Sequence, residues 1–200
     1  MAVAHAPLRS RDGARGRRRT EVVPSAVLGM MIFVVTEIML FSGFISAFTI
    51  MRGSAVVWPP PGQPRLPIGE TAFNTALLLA SGALLYWARL QRRRFATRSA
   101  RNGWLAAIGL GAAFVLLQGR EWVGLLAQGF TLQSSALGSF FYLIVGMHAL
   151  HAVAALIVLV LLWRRLGRGA VPSATLAAGE IFWYFVVGVW PVLYWRVYLS

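Results

Sequence analysis

Neither cysteine nor lysine occurs among the 200 residues. Without cysteine there is no disulfide, no iron–sulfur cluster and no thiolate zinc site, and thiols say nothing about the redox compartment. Charge is scarce too: Asp, Glu, Lys and Arg make up 12% of the chain against 58% hydrophobic residues. So little polar surface cannot cover a water-soluble globule with this much apolar area, and the bilayer is the natural solvent. Acids are scarcest, six against 19 basic residues that are all Arg, for a net charge of +13 that does not titrate away. The arginines fall between long apolar runs and not on a polar domain, so anionic headgroups suit them and nucleic acid is excluded as a partner. Arg-only, Gly- and Ala-rich usage suggests a bacterial gene of high GC content.

What is present is a set of long uncharged runs. Between Glu21 and Arg52 the only charge is Glu37; Glu70 to Arg89 and Arg101 to Arg120 bound two more runs; another extends from Trp122 to Trp163. Each can hold a spanning helix of about 20 residues. Gln128, Gly129, Gln133, Ser134 and Ser135 interrupt the region after Trp122, which places a loop there. The prediction is an all-α bundle of five transmembrane helices at 25 to 50, 69 to 89, 103 to 126, 137 to 164 and 175 to 198. Residues 1–24 form an Arg-rich tail and 25–200 the membrane domain. A cleaved signal peptide competes for the N-terminus, but the apolar region from residue 22 to 51 is too long, carries Glu37 and lacks a clear cleavage site. The turn from Trp58 through Pro59, Pro60, Pro61 and Pro64 to Pro67 is stiff.

Arginine-rich segments alternate along the chain: Arg9 to Arg19, then Arg89 to Arg101, then Arg164 to Arg168. Between them lie only Arg52 and Arg65, then Arg120, then Arg196. The positive-inside rule therefore puts the N-terminus in the cytoplasm and the C-terminus outside, the parity that five spans require.

Short segments taken in order resemble subunit III of the haem–copper cytochrome c oxidases. They are Thr36-Glu37-Ile38-Met39-Leu40-Phe41-Ser42-Gly43-Phe44, then Asn74-Thr75-Ala76-Leu77-Leu78-Leu79-Ala80-Ser81-Gly82, then Leu116-Leu117-Gln118-Gly119-Arg120-Glu121-Trp122. Gly138-Ser139-Phe140-Phe141, Gly146-Met147-His148-Ala149-Leu150-His151 and Trp183-Tyr184-Phe185 with Trp190 follow. Six segments in family order, at least one on every span, carry the resemblance from about Val27 onward. Long members of the family have two further helices before the first of these. Where the family commonly has His after the Trp and Asp three residues later, this chain has Tyr184 and Val187, and Glu180 has no family counterpart.

The resemblance implies a subunit that packs on the catalytic subunit I of a terminal oxidase in a bacterial plasma membrane, without carrying electrons itself. It would stabilise that core, bind phospholipid and support proton uptake, while haem and copper reside in partner subunits. The nearest alternative is the homologous accessory subunit of a nitric oxide reductase. From another class, a small transporter would want broken helices or several mid-depth charges, and a haem-binding quinol oxidase anchor would want His ligands that are missing.

Glu37 lies about 18 Å along the helix from the cytoplasmic start of the first span, near mid-membrane, where a carboxylate should be neutral or paired. His148 and His151 reach a comparable depth, and their i, i+3 spacing puts them on one helical face. A contact between Glu37 and one of these histidines is predicted, against the alternative that each His bonds a hydroxyl, carbonyl or water and only holds the bundle together. A closed zinc site wants four ligands, and the remaining His is His5 in the tail. Two His on one helical face cannot hold one haem from opposite sides. No catalytic, cofactor-binding or metal-ligating residue is therefore assigned. Glu121 is predicted to form an interfacial group with Arg120 beside Trp122, and Glu180 to snorkel or pair with Arg168. The tryptophans are predicted to mark the membrane interfaces, and Gly29, Gly43, Gly109 and Gly111 to allow close helix contact.

Overall fold

The computed structural model describes residues 23–58, 64, 66–94, 97–169 and 171–199. The N-terminal tail and most of the proline-rich turn lie outside these. Five helices follow one another: α1 (Ser25–Ser54), α2 (Ile68–Arg93), α3 (Thr97–Ala127), α4 (Ala136–Leu166) and α5 (Ser173–Tyr194), the last continued by a π-helical turn at Trp195–Leu199. All five are long and apolar enough to cross a membrane. Proline precedes α1, α2 and α5, where its missing N–H deprives no helical bond of a donor. Ser135 caps α4 by accepting from the Gly138 amide at 3.0 Å. Gly129, at φ +80°, ends α3: its amide donates to Leu126 O and that of Phe130 to Leu125 O, both at 3.0 Å, so the residues read as a loop interruption form a Schellman stop.

Helices α2 to α5 make the body of the bundle, with α2 and α3 pressed together over their length. Small residues allow close helix approach where the sequence led one to expect it only in part, Gly103 against α2 and Gly111 against α5. A methyl on Gly111 would meet the Trp183 indole at 2.6 Å, and one on Gly103 would meet Trp87 at 2.8 Å, whereas Gly29, Gly43 and Gly109 face open space. Helix α5 is the most enclosed, burying Trp183, Val186, Trp190 and Leu193 completely. Helix α1 lies outside, against α5 and α4, and buries only Phe41 and Phe48. Met31, Ile32, Val35, Ile38 and Met39 of α1 are exposed.

The polarity of the bundle is inverted relative to a protein in water. Thr71, Asn74, Ser81, Gln118, Glu121, His148 and Glu180 are buried, while large apolar side chains cover the outside. In lipid the outer surface needs no polar groups, and hydrogen bonds between helices belong inside. Two tryptophans assigned to the interfaces are core residues for this reason. Trp183 Nε1 donates to Ser81 Oγ at 3.1 Å and Trp190 Nε1 to Thr75 Oγ1 at 2.9 Å, so each indole meets a hydroxyl on α2.

Candidate functional site

The mid-depth acid and one histidine meet. Glu37 sits half-way along α1 and His151 at the centre of α4, with Glu37 Oε2 3.0 Å from His151 Nε2. The other ring nitrogen, Nδ1, lies 2.8 Å from Met147 O one turn back. A carbonyl only accepts, so Nδ1 carries a hydrogen, and Nε2 is the ring nitrogen turned to the carboxyl group. Placing an acid beside a base is how a low-dielectric interior can accommodate both, since each offsets the cost of the other's charge. Phe33, Phe41, Phe182 and Phe185 surround the imidazole at 5.6 to 6.5 Å between ring centroids.

His148 does not join this pair. A three-residue step turns its ring about 60° around the helix, away from α1 and onto Trp190 at 4.8 Å and Phe114 at 6.3 Å. It is 1% exposed, and its Nε2 has no protein partner. Phe41 packs edge-on to both imidazoles, at 6.4 Å from His148 and 5.6 Å from His151. His148 also borders a cavity of about 190 Å³ between α3 and α4, next to Gln118 and Trp122.

Glu121 forms a second polar group near the far end of α3, and it is not the one expected. Its partners are Asn74 Nδ2 at 2.7 Å, Gln118 Nε2 at 2.8 Å and Thr71 Oγ1 at 2.9 Å, all uncharged donors, and Gln118 reaches on to the Tyr198 hydroxyl at 3.3 Å. No ion pair to Arg120 forms. Adjacent residues on a helix diverge by about 100°, so Glu121 turns toward α2 while Arg120 stays exposed. The third group corrects the pairing of Glu180. That carboxylate is fully buried and holds Arg92 Nη2 at 2.9 Å and Arg89 Nη1 at 3.5 Å, both from α2, and not Arg168. Glu180 faces inward across α5 to α2, whereas Arg168 lies beyond the end of α4.

Sequence reasoning missed Thr71, Asn74 and Gln118 as partners of Glu121, and Arg89 and Arg92 as partners of Glu180. A signal was present. The buried residues of α2 include Thr71, Asn74, Leu78, Ser81, Leu85 and Ala88, alternate steps of three and four that mark one helical face. Polar residues spaced that way in an apolar helix belong to the face turned inward. Among the described residues no cluster of three His, Asp or Glu side chains could hold a metal ion.

Residues 8–200 match the family model described as cytochrome c oxidase subunit III. The chain belongs to that family. The cytochrome c oxidase subunit 3 of Thermostichus vulcanus is 28% identical over 177 residues, with 86% of each chain covered. That of Equus caballus is 32% identical over 181 residues, covering 85% of this chain and 67% of the relative, and that of Mus musculus is 30% identical over 200 residues, covering 94% and 75%. Subunit III membership agrees with the five-helix bundle. Glu37 with His151 and Glu121 with its donors form two separate polar groups, His148 belongs to neither, and no continuous chain of hydrogen bonds between described side chains joins them.

Proposed function

We propose that this chain is the non-redox subunit III of a haem–copper cytochrome c oxidase in aerobic electron transport, a multi-pass membrane subunit of a proton-translocating, oxygen-reducing complex. The match to the family over residues 8–200 carries the reading. The buried polar side chains support it, because they are taken up largely with one another and form no active site. Haem and copper belong to partner subunits, and the catalytic subunit I is the partner for which the exposed apolar face of α1 is suited. The plasma membrane of a bacterium is the location, with the Arg-rich ends of the helices in the cytoplasm. Phospholipid fills the lateral surface. The Glu37–His151 pair supplies a mid-depth proton-holding group that supports sustained proton uptake by the complex. The relatives named above support neither the nitric oxide reductase nor the transporter reading.

Purification of the complex through a tag on this chain in mild detergent, with the co-purifying proteins identified by mass spectrometry, tests the proposal. A haem–copper oxidase catalytic subunit is the expected partner. Recovery of nitric oxide reductase subunits, or of this chain alone under conditions that keep the oxidase intact, would overturn it.

A further inference from the structure

Gln118 and Trp122 stand one turn apart on one face of α3, across from His148 on α4. With Phe114, Val145 and Trp190 they line the cavity of about 190 Å³ between the two helices. Three polar atoms of these lining residues are buried and without a protein partner: His148 Nε2, Trp122 Nε1 and Gln118 Oε1. The Gln118 amide is held in this orientation, because its Nε2 donates to Glu121 Oε2 at 2.8 Å and to the Tyr198 hydroxyl at 3.3 Å. Trp122 Nε1 only donates and Gln118 Oε1 only accepts, so the groups call for an occupant able to do both. On its other side Glu121 borders a second cavity, of about 360 Å³, with Glu70 and Arg120 at the end of the bundle.

We infer that the cavity between α3 and α4 is hydrated, holding a small cluster of waters that bridges His148 Nε2, Gln118 Oε1 and Trp122 Nε1 and so joins the mid-membrane imidazole to the Glu121 group. A polar group deep in a membrane protein that meets neither protein nor water is costly, since hydrocarbon offers it no hydrogen bond. One water takes about 30 Å³ of liquid and needs at least two polar partners. The cavity has room for several, and three unmet groups supply the partners. An acyl-chain end would fill the same volume and leave all three groups unmet. The two histidines one turn apart thereby belong to different systems. His151 belongs to the Glu37 carboxyl on α1, and His148, through water and Gln118, to Glu121, Asn74 and Thr71 at the end opposite Arg98 and Arg101. A side-chain amide links hydrogen bonds without itself ionising, so the connection fixes the His148 ring and is no proton wire. The inference rests on the membrane reading but not on the oxidase assignment.

Solid-state NMR of the full chain, labelled with ¹⁵N and reconstituted in phosphatidylcholine bilayers, provides the test by following polarisation transferred from water protons to side-chain nitrogens. Trp122 Nε1 and His148 Nε2 should gain signal from water several-fold faster than Trp183 Nε1, whose N–H is taken by Ser81 in the packed core. Ala149 also lines the cavity, so Ala149→Leu puts a larger apolar side chain into it and should abolish the fast transfer to both nitrogens. Circular dichroism establishes that this variant keeps its helices; if it does not, the comparison with Trp183 in the unaltered chain decides alone. Transfer no faster than to Trp183 would overturn the inference by showing a dry cavity. Transfer from acyl-chain protons in place of water would overturn it by giving the cavity to a lipid tail. Fast transfer that persists in a folded Ala149→Leu chain would place the water elsewhere and overturn it too. The co-purification test above is indifferent to all of these outcomes.

Discussion

Glu37 faces Nε2 of His151, whose other ring nitrogen is committed to a backbone carbonyl. Replacing Glu37 with Gln preserves a hydrogen-bond donor for Nε2 but removes the titratable carboxyl group. The expected outcome is a complex that retains the subunit yet loses oxygen consumption sooner during sustained turnover, as followed with an oxygen electrode; unchanged persistence would reduce the pair to a packing contact. Glu37→Ala leaves Nε2 of His151 without a partner at a cost of about 1–3 kcal/mol, and should also lower the fraction of subunit that stays bound through purification. Glu180 offers a sharper contrast. Leaving a buried charge uncompensated costs about 3–5 kcal/mol; Arg89 still faces Glu180 when Arg92 is removed, so Arg92→Leu should cost less than that yet still lower the thermal midpoint of the full chain in detergent, and Arg92→Leu with Glu180→Leu should recover part of the loss. Arg168→Leu, a surface change worth less than about 0.5 kcal/mol, should not register. The depth of Glu37 and of the histidines was legible because helical rise converts residue number to distance. The partner of Glu180 was not, because nearness in sequence favoured Arg168 and only tertiary packing brings α2 across to α5.

Helix ends were legible where chemistry punctuates them. The Gln128 to Ser135 interruption became the Schellman stop and the Ser135 cap, and α4 begins one residue from its predicted start. The start of α3 was read six residues late because Arg98 and Arg101 argue against hydrocarbon, although nothing prevents a helix from continuing into the headgroup layer. Small residues were recognised without knowledge of which way they point. Gly111 abuts Trp183 and Leu156, while Gly109, two positions earlier, has nothing within 4 Å. Gly111→Ala should therefore overpack the α3–α5 contact and destabilise by about 1–3 kcal/mol. Gly109→Ala should be neutral or stabilise by up to about 1 kcal/mol through helix propensity. Thermal unfolding followed by size-exclusion chromatography in detergent would compare them; equal effects would contradict the packing described. Trp183 and Trp190 were misread for a related reason, since both interface and core accept an indole when its N–H finds a partner.

At the scale of the whole molecule, the alternation of arginine-rich and arginine-poor connections predicts that reporters fused after Arg94 and at the C-terminus lie on opposite sides of the membrane. Phosphatase and fluorescent-protein fusions would decide it, and the same side for both would mean a miscounted span. The bundle is asymmetric in how firmly its parts are held: α2 to α5 enclose one another, whereas α1 is attached along a narrow stripe that includes the Glu37–His151 contact. That asymmetry bears on how the chain is made. Helix α1 leaves the ribosome first, but α4 and α5, the helices it rests on, come last. About 110 residues of further synthesis separate Glu37 from His151, on the order of 5–20 s at translation rates of roughly 5–20 residues per second. For that interval Glu37 waits in the bilayer without its base, so α1 is the segment most in need of an assembly factor or an already inserted neighbour. A delay in its capture would expose it to membrane quality-control proteases before the rest of the chain is complete.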